Sequence, residues 1–333
     1  MKAIAQSRYG EPQDVLDLRD VDRPEPGDHE VLVRVHASSV NPADRFELVG
    51  LPYVLRLAFG LTRPKAPVRG KDVAGTVEAV GARVTRWQRG AQVFGELSAG
   101  AYAEFVVAGE DELASAPTGV GLAEAASVPV AGLAALQGLR DAGGVRSGHR
   151  VLVNGASGGV GTFAVQIAKA LGAHVTGVCS GANLELVTSI GADAVVDYAR
   201  HDFTRSGERY DVVFDLVGSH APTAYRRVLR RDGVYVSASG MPGGALLGPL
   251  PYLLRVALTS LRGGPKMKPF AAKRSPDDLA VLAGMIESGQ VRPVIDRTYT
   301  LAETATALAR QGKGHARGKT VVTVVDAEPP TGS

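Results

Sequence analysis

Through the first third of the chain, apolar and polar positions alternate over short runs. The stretch from Glu30 to Ala37 reads Glu-Val-Leu-Val-Arg-Val-His-Ala, residues 73–81 and 102–107 are built alike, and turn residues separate them. Such runs predict β-strands, and their density between Lys2 and about Ala116 predicts a folded-over or barrel-like β domain. Near Gly121 the texture turns Ala-rich and helical. From Arg150, apolar strands expected at 151–154, 174–179, 194–197, 211–216 and 234–237 alternate with helices expected at 159–171, 183–190 and 222–229. That alternation predicts parallel βαβ units. β character returns after a helix expected at 276–287, in strands at 291–299 and 319–325. An α/β chain explains this order if a doubly wound parallel-sheet domain, residues 123–265, is inserted between two parts of a β-rich domain, residues 1–122 and 266–333. The tail from Asp326 to Ser333 is expected to fray.

Length supports two cores, because 333 residues exceed what one hydrophobic core usually serves. Glycine is abundant, at 41 residues, which fits many tight turns or a nucleotide loop. The net charge of +3 is spread without a Lys/Arg run, so nucleic acid is not an expected partner. Cys179 is the only cysteine; it excludes an intrachain disulfide, argues against a Cys-rich metal lobe and is compatible with a reducing cytoplasm. Residues 1–6 lead into polar sequence with no apolar signal segment. The greasiest stretch, from Ala245 to Leu261, carries Pro249, Pro251 and Arg255 and is too short for a membrane span, so it reads as a covering segment.

The strongest chemical signal follows the strand Val151-Leu152-Val153. Asn154-Gly155-Ala156-Ser157-Gly158-Gly159-Val160-Gly161 leads directly into Thr162-Phe163-Ala164-Val165-Gln166-Ile167. Strand, glycine-rich turn and amphipathic helix in succession form a Rossmann-like phosphate loop. Small residues let the backbone approach a pyrophosphate, the helix N-terminus offers unpaired N–H groups, and Gly161 permits close helix–strand packing. Ala156 takes the first glycine place, leaving AxGxxG through Gly158 and Gly161, with Ser157 as a hydroxyl donor.

About twenty residues on, a site for NAD usually carries an Asp or Glu at the end of the second strand. Here that strand ends Val178-Cys179-Ser180. A carboxylate would repel a 2′-phosphate and a serine does not, so NADPH is favoured, with Ser180, Asn183 and Tyr198 as neighbours of the phosphate. No Arg or Lys in this loop is an evident phosphate partner. Cys179 is either a packing residue at the strand end or a redox group.

Several motifs in order extend this reading over nearly the whole chain: Val31 to Val35, Ser39-Val40-Asn41-Pro42-Ala43-Asp44, Gly70-Lys71-Asp72-Val73-Ala74-Gly75, the loop from Gly155 to Gly161, Tyr210 to Gly218, and His315-Ala316-Arg317-Gly318-Lys319. Together they resemble the zinc-free quinone oxidoreductase branch of the medium-chain dehydrogenase/reductase superfamily. The resemblance implies a GroES-like catalytic domain around an inserted Rossmann domain, an active site in the cleft between them, and a homodimer formed through the Rossmann domains. It places Ser157, Gly159, Val160, Ser180 and Tyr198 at NADPH, beside Gly158, Gly161 and Asn183 from the loop and strand-end reading, with Arg317 reaching in from the C-terminal segment and Lys319 as a further candidate. Zinc-dependent relatives need thiolate and imidazole ligands, and Asn41 to Asp44 and Gly70 to Asp72 supply neither, so no metal is expected.

Without a metal, hydrogen-bond donors must stabilise the oxyanion that develops on the acceptor. Asn41 is the candidate donor and Asp44 the group that orients a neighbour or water. Equally, Asn41-Pro42 shapes a turn and Asp44 caps a helix. Two positions depart from the branch: Phe46 replaces a tyrosine, and Ala134 stands where threonine is often found near the nicotinamide; Tyr53 is a substitute proton donor. Residues 245–261 and 48–61 are expected as greasy walls suited to a small hydrophobic carbonyl or quinone, although packing or dimer contact explains the same residues equally well. The leading expectation is a cytoplasmic NADPH-dependent quinone or enone reductase. A metal-free alcohol/ketone oxidoreductase and a catalytically decayed NADPH-binding scaffold or sensor are the alternatives.

Overall fold

Two large sheets, with a two-stranded one of Lys2–Gln6 and Leu16–Asp20 beside them, make up the architecture of the computed structural model, which describes residues 1–238, 246–261, 263–312 and 316–324. The expected tail from Asp326 to Ser333 lies outside these residues, as do Ala245, His315 and Val325 at the ends of expected segments.

Among the described residues, seven strands form the β-rich sheet. Glu30–Val40 is its centre, flanked by Asp72–Val80 and by Lys319–Thr323, with Phe105–Gly109 also pairing to it and Gln92–Glu96, Leu113–Ser115 and Ile295–Thr300 completing the sheet. Burial along Glu30–Val40 is almost continuous because both of its faces are covered. The C-terminal strand returns antiparallel to it, with Thr320 opposite Val40 and Val321 opposite Ser39. This return carries Lys319 from the far end of the chain to the start of the helix Pro42–Val49. The strand expected at 102–107 begins later, at Phe105, because the Tyr102 peptide bonds to Ile4 and Arg69 instead of the sheet.

The second sheet is wholly parallel, in the spatial order Ala194–Asp197, His174–Cys179, Arg150–Asn154, Tyr210–Asp215, Leu229–Ser237, Lys266–Pro269. Numbered along the chain this is 3-2-1-4-5-6, the doubly wound Rossmann order, and such sheets bind ligands at the crevice where the order reverses. Here the reversal falls between Arg150–Asn154 and Tyr210–Asp215. Its sixth strand, Lys266–Pro269, lies beyond the boundary expected at residue 265.

Helix Pro129–Gln137 welds the sheets together. Seven of its nine residues are buried, and its Ala131, Leu133, Ala135 and Leu136 share one apolar cluster with Ala74 and Phe94 of the β-rich sheet and Val151 and Phe214 of the parallel one. A continuous core of this kind holds the two sheets, and hence the crevice between them, in fixed register. The apolar covering segment forms a helix, Leu250–Ser260, whose prolines fall at its start, where a missing N–H costs nothing. No described helix is long and apolar enough to cross a membrane.

Candidate cofactor and active site

The turn after Arg150–Asn154 is set by its backbone. Gly155 has φ +90°, and both Gly155 and Ala156 donate N–H bonds to Val178 O at 3.0 Å, tying the turn to the next strand. Gly158 then begins the helix Gly159–Ala170. The other three glycines of this turn differ from one another in what requires them. A Cβ on Gly161 would sit 2.1 Å from Gly155 O, so helix packing requires glycine there. A Cβ on Gly159 would meet Lys319 Cδ at 2.9 Å, because that side chain crosses the turn. A Cβ on Gly158 would meet nothing closer than 3.4 Å, and its φ of −78° suits any residue. Neither the protein's packing nor its backbone needs glycine at 158, whereas close approach of a diphosphate would.

A cavity of about 680 Å³ opens over this turn at the switch point of the sheet. Ser157, Gly158, Gly159, Val160 and Gly161 line it, as do Ser180, Asn183 and Tyr198 at one end and Asn41 and Lys319 at the other. Ten of the twelve residues expected from sequence thus meet at one cavity or flank it, and two do not. Arg317 is exposed and does not line the cavity, although Ala316 and Gly318 on either side of it do. The peptide of Gly318 instead donates to Ser157 O at 2.8 Å, and this locks the C-terminal segment onto the glycine turn. Asp44 is likewise no lining residue. It is 2% exposed, and as the third residue of the helix Pro42–Val49 it accepts the Asn41 N–H at 2.8 Å, the capping role.

At the nucleotide end, Asn183 is buried. Its Nδ2 donates to Ser157 Oγ at 3.1 Å while Oδ1 has no partner. Cys179, also lining, has its thiol pushed up to about 11 by burial and then by the nearby Asp197 charge, so it stays protonated near neutrality and is a poor nucleophile. That favours packing over a redox role.

At the other end the side chains form a charged cluster centred on Asp72, which is fully buried. Asp72 Oδ2 accepts from Asn41 Nδ2 at 2.8 Å, Lys319 Nζ at 3.2 Å and Ser39 Oγ, and Oδ1 accepts the Val130 N–H at 2.8 Å, at the start of helix Pro129–Gln137. Lys319 Nζ, 3% exposed, also donates to Asn41 Oδ1 at 2.6 Å and toward Val40 O at 3.4 Å. Lysine can only donate, which fixes the orientation of the Asn41 amide. One of its two N–H bonds goes to Asp72 and the other has no partner among the described residues. Behind this layer, burial and then the Asp72 charge push the Asp44 carboxyl up to about 7 and the Glu96 carboxyl likewise to about 7. Tyr102, donating to Asp44 Oδ2 at 3.2 Å, is raised well above the usual phenol range by the same burial.

Asp72 is the residue the sequence did not reveal as functional. Its only signal was a carboxylate opening an apolar strand, Asp72-Val73-Ala74, where a buried charge must have a partner. His220 was missed as well; it lines the cavity, its Nδ1 shares a hydrogen bond with Ser219 Oγ at 2.9 Å, and its Nε2 lies 3.5 Å from Asp202.

Other expectations need correction. Ala131, one helical turn before Ala134, is the residue of that helix that faces the cavity. Phe46, Ala134 and Tyr53 do not line it, and Tyr53 lies beneath the Arg56 guanidinium, 4.7 Å from its ring centre. The departures at 46 and 134 therefore fall on residues that do not line the cavity. Nor do described residues of 245–261 or 48–61 wall the cavity: Leu48 is buried in a separate apolar cluster, and most of the other leucines face solvent.

Comparison with known proteins adds to this geometry. Residues 27–138 match the family model for an alcohol dehydrogenase GroES-like domain, and residues 190–322 match the one described as zinc-binding dehydrogenase. A chloroplast envelope quinone oxidoreductase homolog of Arabidopsis thaliana is 32% identical over 339 residues, covering 97% of this chain and 98% of that protein. A mitochondrial NAD(P)H oxidoreductase of Mus musculus is 33% identical, covering 89% of this chain and 82% of that protein. The solved quinone oxidoreductase of Coxiella burnetii superposes with a TM-score of 0.85 at 30% identity, over 98% of this chain and 99% of that one.

Proposed function

Because the chain belongs to the medium-chain dehydrogenase/reductase superfamily, in its quinone oxidoreductase branch, we propose that it is a zinc-independent, NADPH-dependent reductase that passes a hydride to a quinone or an α,β-unsaturated carbonyl compound. One observation carries this reading: the glycine turn and Asn41 line the same cavity. The turn through Gly158 and the N-terminus of Gly159–Ala170 would hold the diphosphate, and Ser180, Asn183 and Tyr198 the adenosine ribose. The strand His174–Cys179 ends without a carboxylate, which supports NADPH over NADH.

Bound nicotinamide would supply the hydride; the chain's own residues supply position and charge. Asn41 Nδ2–H donates to the acceptor oxygen as negative charge develops on it. Lys319, bonded to Asn41 Oδ1, draws electron density from that amide and strengthens the donor, an effect magnified by burial. Asp72 fixes the positions of both.

Zinc does not fit this donor set. Asn41, Lys71 and Asp72 stand where the resemblance would seek ligands, no group of three or more His, Cys, Asp or Glu side chains suited to a metal occurs among the described residues, and the buried ammonium of Lys319 already provides a cation. Homodimerisation and a cytoplasmic setting belong to the same reading.

The test is NADPH oxidation followed by absorbance, with a simple quinone and a simple enone, in parallel with NADH and with added chelator. Chelator-insensitive turnover that prefers NADPH is expected. Tight NADPH binding with no turnover on either acceptor would replace the reductase by a scaffold or sensor, and alcohol-driven NADP⁺ reduction would redirect it to an alcohol/ketone oxidoreductase.

A further inference from the structure

The glycine turn is one side of the cavity. Beside it, across the reversal of the parallel sheet, runs the segment that follows the strand Tyr210–Asp215, of which Leu216, Val217, Ser219 and His220 line the cavity. The two sides pack directly on each other. A Cβ on Gly155 would lie 2.8 Å from Val217 Cγ2 and 3.4 Å from Leu216 Cβ, and the Leu216 N–H donates to Asn154 O at 3.1 Å. Val217 is nonetheless 46% exposed, as a wall residue of an open cavity must be.

Residues 216–220 belong to no helix or strand, so hydrogen bonds from outside the segment must fix its path. Asp215 supplies them. It stands in register with Asn154 at the reversal and is fully buried. Its Oδ1 accepts the Val217 N–H at 3.1 Å, the Gly218 N–H at 2.9 Å and Asn154 Nδ2 at 2.8 Å, while Oδ2 accepts Tyr235 OH at 2.6 Å. Tyr235, with its own hydrogen on Asp215, accepts that of Tyr252 at 2.7 Å. One carboxyl oxygen thus ties both sides of the cavity together: through Asn154 it holds the strand that enters the glycine turn, and through two successive peptides it holds the facing wall. Asp215 itself does not line the cavity, so it acts through that wall.

We propose that Asp215 is a positioning residue for the dinucleotide, holding the wall 216–220 at the distance from the glycine turn that the cofactor requires. This rests on the NADPH reading of the cavity. Without the Asp215 acceptor, the N–H groups of Val217 and Gly218 and the Asn154 amide lose their partner, and a segment without secondary structure satisfies them by moving toward water. That movement changes the width of the slot at the nucleotide end, while Asn41, Asp72 and Lys319 stay where they are. Affinity for NADPH falls, and hydride transfer in the filled site does not.

The test is NADPH binding to the full-length protein, read by fluorescence titration, together with KM and kcat for NADPH with a simple quinone. Asp215→Ala is expected to raise Kd and KM for NADPH about tenfold, with kcat at saturating NADPH within about twofold of the wild type and KM for the quinone unchanged. Asp215→Asn keeps an oxygen for the three N–H donors and turns its own amide toward the Tyr235 oxygen, whose hydrogen then goes to Tyr252, so it should restore affinity to within about threefold of the wild type. A carboxyl that only stabilised the fold would lower the melting temperature without separating KM from kcat. Should Asp215→Ala fold poorly, Asp215→Ser, whose hydroxyl still accepts one N–H group, makes the same test with an expected rise of about threefold. A folded Ala or Ser variant that binds NADPH as the wild type does, a fall in kcat with affinity kept, or an Asn variant as weak as the Ala variant overturns the proposal. The binding measurement needs no turnover: wild-type protein that binds NADPH and reduces no acceptor would end the reductase reading and leave the affinity comparison intact, whereas wild-type protein that binds no NADPH would overturn both.

Discussion

The two ends of the cavity are held by different physics. The nucleotide end is a backbone device: the turn from Gly155 to Gly158 leads into the helix Gly159–Ala170, whose first peptide N–H groups have no partner within the helix, and a small side chain preserves it wherever a Cβ fits. The acceptor end is a side-chain device, in which Ser39, Asn41, Asp72, Val130 and Lys319 converge across up to 278 residues of separation through buried charge. Backbone devices tolerate substitution except where a Cβ cannot fit. A buried charge cluster tolerates loss of no single member, because each departure strands another charge away from water.

The sharpest way to break that contrast is to remove the ammonium. Lys319→Met should destabilise the fold by about 3–5 kcal/mol, the usual result of stranding one partner of a buried pair, here Asp72. Chemical denaturation would read it. A double variant, Lys319→Met with Asp72→Asn, should recover most of that stability while leaving reductase activity low. If the single variant were as stable as the wild type, the cluster would be solvated and the argument for a polarised Asn41 would fail.

Next in size is Asn41→Ala. Loss of one oxyanion donor typically lowers kcat by about 10²–10³, and KM for NADPH should change little because the nucleotide end is untouched. Asn41 also receives Lys319, so a thermal melt must accompany the kinetics; a kcat within twofold of wild type in a folded variant would remove Asn41 from the chemistry.

A smaller effect separates the layer behind the site. The Asp44 carboxyl, near 7 in the folded protein against 3.8 for the free side chain, keeps its proton in the fold after the unfolded chain has lost it. Its contribution to stability is therefore fully present below about pH 4 and is lost as the pH rises through about 7. Asp44→Asn retains an oxygen for the Asn41 N–H and cannot ionise, so wild type should lose stability relative to it across that window, by no more than about 1.4 kcal/mol per pH unit. Unfolding curves for the two proteins at several pH values would check this, and parallel curves would mean that Asp44 is no more acid-shifted than an exposed carboxylate.

Legibility in the sequence follows the same division. The strands around the glycine turn and the turn itself are local patterns that periodicity and the glycine spacing exposed, whereas Asn41 stood out only through the motif from Ser39 to Asp44 that carries the family resemblance. Asp72 stayed hidden because its meaning comes from Lys319, 247 residues away, and local reading saw only that zinc ligands were missing. Arg317 and Ala134 were misplaced for a related reason: neighbours along the chain point in different directions, and only the return strand at Lys319–Thr323 and the rotation of helix Pro129–Gln137 decide that Lys319 and Ala131 face the cavity. The apolar run at 246–261 was legible as apolar, while which side of it met water was not.

The smallest effect sharpens the comparison most, because it separates two glycines three residues apart within one motif. At Gly161 a Cβ collides with Gly155 O, so Gly161→Ala must shift the helix or the turn and should lower the melting temperature of the protein without any ligand. At Gly158 a Cβ meets no protein atom within 3.4 Å and the backbone angle is ordinary, so Gly158→Ala should melt as the wild type does. Its cost should appear only with nucleotide, as a rise in KM for NADPH on the order of tenfold, or about 1.4 kcal/mol, with kcat at saturating cofactor nearly preserved. The measurement is a pair of melts and a pair of NADPH titrations. If both variants lost stability equally, glycine at 158 would be structural and would say nothing about a diphosphate; if Gly158→Ala bound NADPH as well as the wild type, the diphosphate would lie elsewhere in the cavity.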